Sequence, residues 1–191
     1  DLYHLSLLML GSFLMRGAGC TINDIIDLKY DTKVERTKNR PLASKKITIN
    51  EASIFLFFQL LLSLGILINF DMKTILLSLS IVPLVFFYPF FKRFTFFPQV
   101  ILGLIFNWGV IIGFSCSNDF FIVEIIYLYF AGVFLTIGYD TIYAFQDIKD
   151  DKKLGLKSLA IKTSKFPRFY LFLMYGVSSF LFSLSFFCNS G

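Results

Sequence analysis

Histidine is almost missing from this 191-residue chain: His4, near the start, is the only one. Ser/His/Asp and Cys/His catalysis and histidine-based zinc sites therefore have no foundation. Cysteine is nearly as scarce. Cys20, Cys116 and Cys188 lie far apart in apolar runs with no CxxC or Cys/His ligand spacing, so they read as small buried hydrophobes and not as a disulfide or metal framework. Acidic residues number 13 against 26 phenylalanines. With 56% hydrophobic residues and a mean hydropathy of +0.71, that imbalance excludes a water-soluble globule. The chain reads as an integral membrane protein whose partner is the lipid bilayer. No cleavable signal is visible, and the start at Asp1 and the abrupt end at Gly191 lead to the expectation of a piece of a longer protein.

What is present is a series of long apolar stretches. They run from about Leu2 to Ile22, Asn50 to Phe70, Thr74 to Phe91 with a kink at Pro83, Gln99 to Ser117, Phe120 to Ala144 and Phe166 to Cys188. Each is close to the roughly 20 residues that a hydrocarbon core demands. Gly17-Ala18-Gly19 would allow close helix approach in the first, and Thr48 with Glu51 has capping-box spacing at the head of the second. Asp71-Met72-Lys73 and Asn118-Asp119 read as tight turns. The expected fold is all-α, a polytopic membrane bundle with six transmembrane helices in a single domain, 1–191.

Charge placement tests that assignment. Of 18 Lys and Arg residues, seven lie in the polar loop 29–46, two at Lys92 and Arg93, and seven between Lys149 and Arg168. Those are alternate loops, so six crossings put them on one face, which the positive-inside rule makes the cytoplasmic one. No nucleic-acid partner is expected, and no protein partner is implied.

Two acidic clusters end helices at that same boundary. In Asn23-Asp24-Ile25-Ile26-Asp27-Leu28-Lys29-Tyr30-Asp31, helical geometry puts Asn23, Asp27 and Asp31 within about 80° of one another, with Asp24 about 100° away. Arg16, two turns before Asn23, shares that face and is expected inside the bundle. In the second cluster Asp147 and Asp151 repeat the spacing of four, and Asp140 lies two turns earlier. Eight of the 13 acidic residues fall in or beside these clusters, so cations must offset their repulsion. Oxygen ligands suit Mg²⁺, which binds through one or two carboxylates plus phosphates. Arg36, Lys92 and Arg93 are placed to contact remaining phosphate oxygens. A charged head at the boundary and an apolar interior suit a polyprenyl diphosphate. A single acidic helix end would read more readily as a headgroup contact or a cap; two matching clusters on one side reverse that and favour chemistry. Glu124, taken as mid-span in the fifth helix, has no role in this scheme.

The run from Arg16 through Asn23, Asp27 and Asp31 to Val34-Glu35-Arg36-Thr37-Lys38-Asn39-Arg40-Pro41-Leu42 resembles the first aspartate motif of the UbiA family of membrane prenyltransferases. Tyr139-Asp140 through Asp151 and Gly155-Leu156-Lys157-Ser158 resemble the second. Tyr88-Pro89-Phe90-Phe91-Lys92-Arg93 with Pro98-Gln99 is similar to the subgroup that uses 4-hydroxybenzoate. The resemblance implies an all-helical bundle of about nine spans, of which this chain would carry the second to the seventh. It also implies metal ligation by Asn23, Asp27, Asp31, Asp147 and Asp151, and a catalytic part for Asp27, Asp31, Asp140, Asp147 and Asp151. Substrate binding falls to Arg16, Asn23, Arg36, Tyr88, Lys92 and Arg93. The implied reaction is Mg²⁺-dependent prenylation of 4-hydroxybenzoate for ubiquinone synthesis, in a bacterial or mitochondrial inner membrane. Other aromatic or tetrapyrrole acceptors are the alternative within the family. From another class, a cation-coupled transporter would also use intramembrane carboxylates, but at the midplane and not at one boundary.

Overall fold

The computed structural model of the chain describes residues 2–116 and 122–189. The expected Asn118-Asp119 turn, the ends of the fourth and fifth stretches at Ser117 and Phe120, and Asp1 and Gly191 lie outside the described residues. The described elements are helices: α1 Leu2–Ile26, α2 Leu28–Asp31, α3 Ile49–Leu67, α4 Met72–Ser80, α5 Val82–Phe94, α6 Pro98–Ser115, α7 Ile122–Leu154, α8 Leu159–Thr163 and α9 Pro167–Asn189. No strand occurs among the described residues. Six segments are long and apolar enough to cross a membrane, with α4 and α5 together forming the third. They coincide with the six stretches expected from the sequence. Many large apolar side chains on them point outward, among them Phe13, Phe57, Phe172 and Phe187. That is the arrangement of a protein whose solvent is lipid.

The chain divides into two compact units, Asp1–Pro89 and Phe90–Gly191. In the first, α1 packs against α3. Their contact is polar and close: the Thr21 hydroxyl donates to Gln59 Oε1 at 3.2 Å, and Gln59 is buried. Gly17 makes room for it, because a Cβ there would overlap the Gln59 amide nitrogen. The expected close approach therefore holds at Gly17 and at fully buried Ala18, whereas Gly19 faces open space. The capping box also forms. Glu51 N donates to Thr48 Oγ1 at 3.2 Å, and Thr48 N donates to Glu51 Oε2 at 2.7 Å. The third span breaks at Ile81, two residues before Pro83, whose ring crowds the carbonyl one turn earlier and whose nitrogen has no proton to donate. Asp71 caps α4, and hydrogen bonding by the Thr74 side chain holds its carboxyl below the usual range.

In the second unit, α7 is the central element and packs on α6, α8 and α9. Tyr129, Val133, Ile137, Leu159 and Met174 form its buried cluster. Polar bonds tie the helices as well, as expected where lipid removes the usual hydrophobic drive. Asn107 Nδ2 donates to Thr136 Oγ1 at 2.9 Å, and Ser178 Oγ donates to the Ala131 carbonyl at 2.8 Å. Two sequence expectations are corrected. The three cysteines are free and exposed instead of buried, since an apolar side chain on a lipid-facing span gains nothing from an interior position. Glu124 is buried in the first turn of α7 and not mid-span, and the N-terminal dipole favours an acid there.

Candidate functional site

The first acidic cluster is built at the end of α1. That helix stops at Ile26, and Asp27 takes φ −91° and ψ 5°, so the nonapeptide is not one continuous helix. The break is shallow. Asp27 N still donates to the Asn23 carbonyl at 2.8 Å and Asp31 N to the Asp27 carbonyl at 2.9 Å, which preserves both steps of four. Asn23 is half-buried, whereas Asp27 and Asp31 are only 6% and 8% exposed.

Buried carboxylates need compensation. For Asp31, Arg40 supplies it: its Nη1 donates to Asp31 Oδ2 at 3.0 Å and also to Oδ1 of half-buried Asp24 at 2.7 Å. The polar segment after α2 folds back to bring Arg40 there. Thr37 Oγ1 donates to the Asp31 carbonyl at 3.1 Å, and Val34, Thr37 and Leu42 are buried. Asp24, off the stripe, thus has a partner, and Arg40 is the residue of this cluster that sequence reasoning passed over. The available signal was the RTKNRPL run itself, which sets Arg36, Lys38 and Arg40, with no carboxylate among them, directly after the acidic stripe.

The second cluster lies on α7, whose helix continues unbroken to Leu154 and carries half-buried Asp140, Asp147 and Asp151 at steps of seven and four. The helix ends in a Schellman motif: Leu156 N donates to the Asp151 carbonyl at 2.9 Å, Gly155 N to the Lys152 carbonyl at 3.4 Å, and Gly155 takes φ +69°. The reversed chain then docks on the last turn of α5 and the first turn of α6. Lys157 N donates to the Lys92 carbonyl at 2.8 Å, and Leu159 N to Gln99 Oε1 at 3.2 Å. Within this unit, then, the structure ties the end of the acidic helix to the segment bearing Lys92 and Arg93. The Arg93 guanidinium lies 4.9 Å over the Phe90 ring. Tyr88 is half-buried on α5. Arg16 and Arg36 are exposed, so the expectation of Arg16 inside the bundle is not met within this chain.

Among the described residues no group of three or more His, Cys, Asp or Glu side chains forms a closed metal cage. The donors are all hard oxygens offered in small sets, which fits Mg²⁺ completed by water and phosphate.

The family model of the UbiA prenyltransferase family matches residues 1–191. The chain belongs to this family. Among relatives similar to this UbiA chain, the mitochondrial 4-hydroxybenzoate polyprenyltransferase of Dictyostelium discoideum is 46% identical over 181 residues, covering 93% of this chain and 39% of its own length. The enzyme of the same name from Homo sapiens is 47% identical over 163 residues, 85% of this chain and 44% of its own length. The chain thus spans less than half of these relatives. A UbiA homologue from Aeropyrum pernix K1 has a TM-score of 0.81 at 25% identity, with 95% of this chain and 69% of that one covered. A UbiA homologue from Archaeoglobus fulgidus, bound to GPP and Mg²⁺, has a TM-score of 0.78 at 23% identity over 98% of this chain and 68% of its own.

Proposed function

We propose that this chain carries the catalytic centre of an Mg²⁺-dependent 4-hydroxybenzoate polyprenyltransferase that uses a polyprenyl diphosphate and serves ubiquinone synthesis. The observation that carries this reading is the Asn23, Asp27 and Asp31 stripe, kept in register across the break at Asp27, with both carboxylates buried at the end of an apolar span. The names of relatives at 46% and 47% identity supply the acceptor, and the Archaeoglobus homologue with GPP and Mg²⁺ supports a divalent metal. Asn23, Asp27 and Asp31 in the first unit are proposed metal ligands, and so, each unit taken by itself, are Asp147 and Asp151 in the second. When bound, Mg²⁺ neutralises charge on the departing diphosphate.

The chain's own residues do the rest. Arg36, Lys92 and Arg93 contact phosphate oxygens, and the Phe- and Leu-rich spans hold the tail away from water. The allylic C–O bond breaks with its electron pair leaving on diphosphate. The prenyl carbon joins the ring carbon ortho to the phenol oxygen, and that ring position loses its proton. Carboxylates near the developing cation, Asp140 among them, stabilise it. Arg16 and Tyr88 belong to substrate binding. Because the relatives are named mitochondrial, the proposed site is the mitochondrial inner membrane, with the acidic helix ends on the matrix side.

The test is a prenyl-transfer assay on the full protein with a panel of aromatic and tetrapyrrole acceptors. Transfer to 4-hydroxybenzoate is expected; transfer only to another acceptor would replace the substrate assignment. Asp27→Asn and Asp147→Asn should each abolish it, and activity retained in both would remove the metal roles.

A further inference from the structure

We propose that Arg40 is a positioning residue for the metal-binding carboxylates, and that Asp24 acts on Asp31 only through it. The inference rests on the reading of Asp27 and Asp31 as ligands. One nitrogen, Arg40 Nη1, serves two carboxylates, at 2.7 Å to Asp24 and 3.0 Å to Asp31. Such shared, charge-assisted bonds are short and directional, and they fix the orientation of both acceptors.

The guanidinium does not swing freely on a loose loop. Arg40 N donates to the Thr37 carbonyl at 2.9 Å, and Ser44 Oγ donates to the Arg40 carbonyl at 2.8 Å. Thr37 in turn is buried and bonded to the Asp31 carbonyl. The backbone on either side of the Arg40–Asp31 bond is therefore closed into one folded turn, and the side-chain bond aims the Asp31 carboxylate within it. Asp24 belongs to α1 and lies off the stripe, where it anchors the far side of the same nitrogen. Without Arg40 it would only add negative charge next to Asp27 and Asp31.

A rival role, simple counter-charge, makes the opposite forecast. A cation that merely neutralises the cluster competes with metal, so its loss would tighten metal binding. A group that orients a ligand improves binding, and losing partners of that kind weakens affinity by about 10–100-fold.

The experiment is Mn²⁺ titration of the full protein in detergent, read by the electron paramagnetic resonance of free Mn²⁺, with melting temperature recorded for every variant. Arg40→Gln and Asp24→Asn are each expected to weaken Mn²⁺ binding by about 10-fold or more. The double variant should be no weaker than Arg40→Gln alone, because one bond path is lost only once. Arg40→Lys, which keeps a donor able to reach two acceptors from one nitrogen, should recover part of the loss. Asp24→Asn preserves shape and keeps the test decisive should Arg40→Gln not fold. Unchanged or tighter Mn²⁺ binding in both single variants, or additive losses in the double, would overturn the proposal. Asp27→Asn separates the two levels: if it binds Mn²⁺ normally, the ligand reading fails, and if it loses Mn²⁺ while Arg40→Gln does not, only the positioning role fails.

Discussion

The main-chain amide of Lys157 donates to the carbonyl of Lys92 across 2.8 Å, joining the turn after α7 to the end of α5. The Lys157 ammonium reinforces the joint by donating to the Phe94 carbonyl at 3.2 Å and lying 5.5 Å over the Phe96 ring. Lys92 is therefore placed by backbone geometry set sixty-odd residues later in the chain, by a turn that depends on Gly155.

Gly155 holds φ +69°, where a Cβ costs about 1–2 kcal/mol. Gly155→Ala should lower the melting temperature and raise the KM for polyprenyl diphosphate with a smaller change in kcat. Gly155→Asn, which tolerates this conformation, should lie between it and the wild type. Thermal denaturation and initial rates read both; an alanine variant with unaltered KM would detach the turn from the segment proposed to bind phosphate.

Lys157→Ala leaves the main-chain bond intact and removes only the side-chain ties, worth about 1 kcal/mol. The expected change in KM for polyprenyl diphosphate is no more than about fivefold, smaller than for Gly155→Ala.

At the α1–α3 contact, Gly17→Ala forces the Gln59 amide aside and loses the Thr21 bond, a loss of about 1 kcal/mol. Gln59→Ala should destabilise similarly on its own yet absorb the methyl of Gly17→Ala, so the double variant is expected to be more stable than the two losses added together. A melting series of the four proteins checks the coupling; simple additivity would mean that the two positions do not meet.

Chelation is the remaining prediction. EDTA should stop prenyl transfer, and Mg²⁺ in excess should restore it, as expected of a site that offers few carboxylates and leaves other positions to water and phosphate. Transfer undiminished in EDTA would exclude the metal.

The six spans were legible because lipid imposes one length and one polarity on each, and the capping box at Thr48 because its partners are three residues apart. The stripe was legible for the same local reason, since Asn23, Asp27 and Asp31 keep a helical repeat. The partner of Asp24 was not, because Arg40 arrives through a folded turn whose closure depends on buried Val34, Thr37 and Leu42. Nor was the docking of Lys157 on Lys92, a contact between segments far apart in the chain. The cysteines were misjudged because burial rules drawn from water-soluble proteins do not carry over to a surface bathed in lipid.

Only Ala52 and Gln59 of α3 are buried. Its contact with α1 thus includes a peg and a notch, one amide seated over one glycine, beside the buried alanines Ala18 and Ala52. Such a joint opposes both sliding and rotation of the helix. Its register should survive exchange of one apolar solvent for another, from bilayer to detergent, so long as that one amide stays in place.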